Sequence, residues 1–188
     1  MIIIDDDGVL AARALQGDQA AFRDLVGRHK ESLYRLLRRL TGDPDEAYDL
    51  LQDTFVALWS SLDRYDQSRP FAGWARRIAV NKSRDWARRR SVRRWIAAVL
   101  PIGDDASLVA DRSPSPEAVT GDAIELRRTE RAIAELPSSL REALVLTAIE
   151  GLSQREAAEV LGVSEKAVET RVGRARASLS RALDLAAA

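Results

Sequence analysis

The chain has 188 residues, with 29 basic and 29 acidic side chains, one histidine and no cysteine. The missing thiols exclude disulfides and thiolate metal sites, and a lone His29 leaves no imidazole cluster for a metal or a triad. At this length the chain makes one domain or two small ones, and helix formers without sustained period-two alternation predict an all-α protein.

The opening "MIIIDDDG" carries neither a basic leader nor a long apolar segment, and the apolar run at residues 95–102 is too short to span a bilayer. A cytoplasmic protein without membrane insertion is expected. Residues 9–15 and 20–40 read as helices, the second with an apolar stripe of Phe22, Leu25, Val26, Leu33, Leu36, Leu37 and Leu40. In "TGDPDEA", Gly42 ends that helix, Asp43 caps the next, Pro44 fits its first turn and Glu46 stands at the capping-box position. The following helix, residues 45–62, turns Ala47, Leu51, Phe55, Leu58 and Leu62 inward and leaves Asp49, Gln52, Asp53 and Val56 outside. After "DRYDQSRP" the chain is again helical over residues 71–95, with Phe71, Trp74, Ala75, Ile78 and Trp86 as apolar members. This first helical bundle takes residues 1–95.

From residue 98 to 121 the helical pattern dissolves, and three of the six prolines fall in this stretch. An acidic linker over residues 96–121 is expected, its irregular part able to reach about 80 Å at ~3.3 Å per residue. Residues 122–188 then hold a second, smaller domain, with helices over 122–135, 138–150, 153–161 and 164–185.

Overall neutrality conceals a block of charge. Residues 1–68 carry 8 basic and 13 acidic side chains, residues 69–95 carry 10 and 1, residues 96–136 carry 4 and 8, and residues 137–188 carry 7 and 7. Acidic segments on either side of the block repel a phosphate backbone and suit basic surfaces instead. The nearly unopposed arginines repel one another unless a polyanion lies against them.

Near the end, "LSQREAAEVLGVSEKAVETRVGRAR" has the marks of a helix-turn-helix. Ser153 and Glu156 form a capping-box pair, Gly162 ends the first helix and Ser164 caps the second. Ala158 is small where the two helices cross, and Val168 is apolar where the second packs on the first. At about 100° per residue, Val172, Ala175 and Leu179 continue the buried stripe, while Lys166, Thr170, Gly173 and Ala177 face away, flanked by Glu169 and Arg174. Lys166 and Arg174 can meet phosphate or guanine, and Glu169 can accept from a cytosine amino group. These residues alone also fit a helical hairpin used only for packing.

The basic stretch "RPFAGWARRIAVNKSRDWARRRSVRR" interleaves arginines with Phe71, Trp74, Trp86 and Asn81. Cations suit phosphates, and aromatic or amide groups suit unstacked bases. At helical spacing from Phe71 and Ile78, Trp74 fits core packing better than base stacking, whereas Trp86 fits either.

Taken in order, "DPDEAYDLLQDTFVALWSSLDRYD", "FAGWARRIAVNKSRDWARRR", a linker and "ELPSSLREALVLTAIEGLSQREAAEVLGVSEKAVETRVGRAR" resemble the bacterial sigma factors of the extracytoplasmic-function (ECF) group, in the sigma-70 family. The resemblance implies two helical domains that bind core RNA polymerase and place it on promoter DNA. The first would recognise and help open the minus-ten element, and the second would read the minus-thirty-five element. It further implies a docking surface for the polymerase with Asp49, Gln52 and Asp53 as contacts. Asn81 matches an asparagine at a break between two helices, where a loop would form a pocket for a flipped base. Arg76, Arg77, Lys82, Arg84, Arg88 and Arg89 would hold phosphates nearby, with Trp86 among the minus-ten residues. Lys166, Glu169, Thr170, Arg171, Arg174 and Arg176 match the minus-thirty-five helix, although members often carry a basic residue at the place of Glu169. An anti-sigma factor is an implied partner, and the acidic linker would thread through the polymerase. No cofactor, metal or catalytic residue is expected.

Two other readings follow from the same residues. A regulator of another kind would use its helix-turn-helix on an operator and bind strongly without polymerase. An enzyme acting on nucleic acid would use Asp43, Asp45, Glu46, Asp49 and Asp53 as metal ligands, but their spacing is that of a capped helix start and a solvated face.

Overall fold

The computed structural model describes residues 6–99 and 121–185, and the predicted linker falls largely outside them. Eight α-helices appear among the described residues: α1 (Asp6–Leu15), α2 (Gln19–Thr41), α3 (Pro44–Ser60), α4 (Phe71–Val99), α5 (Gly121–Glu135), α6 (Ser138–Leu144), α7 (Gln154–Leu161) and α8 (Glu165–Leu185). The first four form one bundle and the last four a second, smaller one.

Local chemistry sets most boundaries. Asp18 accepts from the Ala20 and Ala21 N–H groups at 3.0 and 3.1 Å, which satisfies two of the orphan donors that begin α2. Gly42 closes α2 in the left-handed region at φ +76°, and a Cβ there would lie 3.3 Å from that of Ala134 on α5. Glycine is therefore needed twice at this corner, for the backbone and for the approach of the second bundle. Asp43 caps α3 by accepting from the Asp45 and Glu46 N–H groups, and Pro44 occupies the first turn.

The core of the first bundle is built from Leu25, Leu33, Leu36, Leu37, Leu58, Phe71 and Val80, all essentially inaccessible. Leu50 and Thr54 are buried on α3 as well, beyond the stripe read from the sequence. The Thr54 hydroxyl is accommodated there because it donates to the Leu50 carbonyl at 2.6 Å. His29 joins α1 to this core, its Nε2 2.8 Å from Asp7 and its ring 5.2 Å from that of Phe71.

In the second bundle α6 does not run on as an ordinary α-helix to Glu150. It winds into a π-type turn over Val145–Ile149, followed by Gly151 at φ +73°. Val168 and Ala175 of α8 are fully buried, Val172 nearly so, and Leu136, Leu144 and Ala175 form a small satellite cluster.

The two bundles touch. One apolar cluster contains Leu36, Ala79 and Val80 of the first with Val145, Ala157 and Leu161 of the second, and α4 lies along α7. Polar links border this contact. Arg39 meets Glu150 at 3.1 Å, and Arg141 donates to the Leu40 carbonyl and, within its own bundle, to the carbonyls of Ala134 and Leu136 at 2.6 and 2.9 Å. Burial pulls the Arg141 guanidinium below its ordinary pKa.

Candidate nucleic-acid interfaces

The basic helix α4 contains Asp85 as its one acidic residue, so its surface is a stripe of cations. Arg77, Arg88 and Arg89 are exposed, Arg76 and Lys82 are half-buried, and Arg88 pairs with its neighbour Asp85 at 3.0 Å. Arg84 differs from the rest. Its Nε stands 3.0 and 3.1 Å from the two carboxylate oxygens of Glu142 on α6, and its Nη2 stands 2.6 Å from one of them. The Glu142 side chain is 4% exposed and that of Arg84 35%. Donation to the Glu142 carboxylate raises the Arg84 pKa above its ordinary value, since it favours the charged form.

Two expectations for this helix need correction. Asn81 does not lie at a break: α4 is continuous from Phe71 to Val99, and Asn81 sits on its exposed surface with Oδ1 3.4 Å from Arg84 Nη1. After Gly73 the segment holds no glycine or proline, so nothing in its backbone favours an interruption. Trp86, expected among the DNA-facing residues, is 7% exposed and belongs to the apolar cluster. Its indole Nε1 is buried with no hydrogen-bond partner among the described residues, and the Arg90 guanidinium lies 5.2 Å from the centre of its ring. The ring face is thereby occupied, and Arg90 enters as a cation that the sequence reading did not single out.

Trp74 is packed as expected, half-buried against Tyr65 and Phe71 at ring separations of 5.1 and 5.5 Å. The aromatic trio at the start of α4 is thus structural.

On α8 the outward face is open. Lys166, Glu169, Thr170, Gly173, Arg174, Arg176 and Ala177 are exposed, while Arg171 is half-buried at the edge of the face. Lys166 Nζ stands 2.8 Å from Glu169 Oε2, and the Thr170 hydroxyl donates back to the Lys166 carbonyl at 2.8 Å. Glu169 is therefore partly neutralised by its own helix neighbour. The face is held out by a complete capping box on α7, where the Ser153 hydroxyl accepts from the Glu156 N–H and the Glu156 carboxylate accepts from the Ser153 N–H at 2.8 Å. The Ser153 hydroxyl also donates to the Glu156 carboxylate at 2.7 Å, and this bond, with that from the Ser153 N–H, keeps the Glu156 carboxyl below its ordinary pKa. Gly162, at φ +69°, makes the turn between α7 and α8.

A third surface lies on α3. Asp49, Gln52 and Asp53 are exposed beside Tyr48 and Val56, two large apolar residues that are also exposed, the latter by 68%. Trp59, on the same helix, packs edge-on to Phe22 at 4.8 Å. An acidic rim with apolar members fits a protein partner carrying basic groups better than it fits DNA.

The acidic residues at the start of α3 are spent on capping and solvation, and no group of three or more His, Cys, Asp or Glu among the described residues is disposed to hold a metal ion. No described helix is long and apolar enough to cross a membrane.

Comparison with known proteins bears on these three surfaces. A family model described as Sigma-70 region 2 matches residues 25–93, and one described as Sigma-70, region 4 matches residues 126–179. The RNA polymerase sigma factor CnrH of Cupriavidus metallidurans is 46% identical over 182 residues, covering 96% of this chain and 95% of that protein. The ECF RNA polymerase sigma factor SigW of Bacillus subtilis is 32% identical, with 89% of this chain and 91% of that one covered. The solved structure of CnrH in complex with the cytosolic domain of CnrY is similar at 40% identity, with a TM-score of 0.70 over 96% of this chain and 99% of that one. The sigma factor RpoE bound to the anti-sigma factor NepR, from Bartonella quintana, shares the fold at 24% identity and a TM-score of 0.67, covering 87% and 96% of the two chains.

Proposed function

Because the chain belongs to the sigma-70 family of RNA polymerase sigma factors, in the extracytoplasmic-function group, we propose that it binds core RNA polymerase, directs it to specific promoters and helps open the minus-ten DNA. It is a transcription initiation factor whose partners are core polymerase, promoter DNA and an anti-sigma factor, and it works in the cytoplasm. The first functional unit is residues 1–95, the second residues 122–188, and residues 96–121 connect them.

The observation that carries the division of labour is the contrast in charge between two exposed helix faces. Residues 69–95 hold 10 basic side chains against 1 acidic, enough to grip strand phosphates while a base is flipped at a cost of a few kcal/mol. On this reading Arg76, Arg77, Lys82, Arg84, Arg88 and Arg89 hold the minus-ten phosphates, and Asn81 meets a base from the helix surface. Lys166, Glu169, Thr170, Arg171, Arg174 and Arg176 read the minus-thirty-five duplex. Asp49, Gln52 and Asp53 contact the polymerase.

An operator-binding regulator is disfavoured by the balanced charge of residues 137–188, 7 basic against 7 acidic, which supplies little affinity for DNA alone. A sigma factor obtains that affinity from the polymerase docked through its other half, by raised effective concentration. Filter binding over a salt series, with and without core enzyme, separates the two readings. Strong promoter binding by the free chain would sink the sigma reading. Within it, an Asn81→Ala chain that opens its promoter normally would remove the base contact, and an Asp53→Lys chain that still binds core enzyme would remove the docking assignment.

A further inference from the structure

Of the three indoles on α4, Trp74 and Trp86 are packed and Trp95 is not. Trp86 and Trp95 are nine residues apart, about two and a half turns, so they point to opposite sides of the helix axis. Trp86 is 7% exposed and has the Arg90 guanidinium over its ring. Trp95 is 66% exposed, and Val92 and Ile96, three residues before it and one after, are exposed by 51% and 45%. Three large apolar side chains grouped within little more than one turn and left in water make a patch, not a scattered exception.

The surroundings of the patch point to what covers it. Residues 88–94 hold five arginines and no acid, and Arg88, Arg89, Arg93 and Arg94 are exposed. At about 100° per residue, Asn81, Arg88, Val92 and Trp95 fall within about 60° of one another, so the patch continues the face that carries the proposed base and phosphate contacts. Asp85, the one acid of α4, also lies on that face and is paired with Arg88 at 3.0 Å. From Arg88 to Trp95 the helix advances about 10 Å at ~1.5 Å per residue, the span of about three nucleotides at ~3.4 Å each. A protein docking here would have to neutralise a run of arginines as well as cover an indole. A nucleotide brings a flat base and an anion in one unit.

We propose that Trp95 is a stacking platform for an unpaired base of the DNA strand that lies along α4, with Val92 and Ile96 flanking the base and Arg88 holding a phosphate beside it. The role that an indole among arginines suggests is thus filled at Trp95 and not at Trp86, whose ring is already covered. Stacking asks only for a π face, so the site takes any base and adds affinity without adding sequence choice. In this it differs from Asn81, whose amide can choose among bases by hydrogen bonding. This inference rests on α4 being the strand-facing helix.

The test uses the full chain with two probes: a twelve-nucleotide oligothymidylate, and a strand of the same length built of abasic sugars, which keeps every phosphate and lacks every base. Trp95→Ala is expected to weaken oligothymidylate binding between about fivefold and a hundredfold, the range for loss of one stacked base. Binding of the abasic strand is expected to stay at the wild-type value. The slope of log affinity against log salt is expected to stay the same on both probes, because no phosphate contact is removed. Trp95→Phe should recover most of the loss. In the wild-type chain the oligothymidylate should quench part of the tryptophan emission, and that part should be missing in Trp95→Phe. Leu15→Ala, which trims an apolar side chain 51% exposed on α1, is expected to leave both affinities unchanged. A Trp95→Ala chain that binds oligothymidylate as the wild type does, or that loses the same factor on the abasic strand, overturns the stacking site. If that chain also binds core enzyme more weakly, the patch is a protein contact instead. The strand-facing reading fails separately, if the wild-type chain does not bind the oligomer at low salt or if Arg88→Gln with Arg89→Gln binds it no more weakly.

Discussion

The helices α4 and α8 both present cations to solvent, yet they solve opposite problems. On α4, nine arginines and lysines face one aspartate, and the helix gains affinity at the cost of self-repulsion. On α8, Lys166 is paired with Glu169 at 2.8 Å, and small residues, Gly173 and Ala177, let the backbone come close. On the proposed reading, adhesion belongs to the first and discrimination to the second. A chain that reads two DNA elements does not need both properties in each helix, provided the polymerase holds the halves together.

This contrast is most severely broken by removing one partner entirely. Val168 is fully buried beneath the α8 face, so Val168→Asp places an unpaired carboxylate in the apolar contact. A loss of about 4 kcal/mol or more in the stability of the second bundle is expected by thermal denaturation, with minus-thirty-five recognition lost and the α4 salt response retained.

Charge removal sharpens the difference in kind. Arg88→Gln with Arg89→Gln on α4 is expected to flatten the salt slope for single-stranded DNA by about 1.4, two contacts at ~0.7 each, with no change of sequence preference. By contrast, Glu169→Ala on α8 is expected to cost about 1–3 kcal/mol of discrimination at one base pair, measured by competition among promoter variants. Equal losses on all variants would show that Glu169 does not select.

The smallest effect concerns the support of the α8 face. Ser153→Ala removes the α7 cap and is expected to cost about 1 kcal/mol. The Glu156 carboxyl is held below its ordinary pKa by its bonds to Ser153. Its contribution is therefore present above the ordinary glutamate range and lost as pH falls through the depressed value. The gap in melting temperature between wild type and Ser153→Ala should narrow at acid pH, leaving the part due to the hydroxyl's bond with the Glu156 N–H. A constant gap across the range would detach the cap from this carboxylate.

Much of the fold was legible because it is local. The caps at Asp43 and Ser153, the end of α2 at Gly42 and the α7–α8 turn at Gly162 each depend on a few consecutive residues. The apolar stripe of α2 follows from helical period alone, and Leu25, Leu33, Leu36 and Leu37 are buried as read. The open face of α8 was legible for the same reason, since the buried positions Val168, Val172 and Ala175 define its opposite. What misled was analogy and chemistry without position: Asn81 was placed at a break that α4 does not have, and Trp86 was offered to a base although it packs inside. An indole carries the same signal for either place, and only its neighbours decide.

The sequence by itself determined the helices, their caps, the block of positive charge and the face of α8, because these depend on residues within a turn or two of one another. Only the tertiary structure decided that Arg84, among many arginines, is the one held by Glu142, and that Arg39 meets Glu150 and Arg141 the Leu40 carbonyl. Such pairings join residues 58 to 111 positions apart. No period links them, and any of several cations could have met those carboxylates until the packing of α4 on α6 and α7 brought one of them within reach.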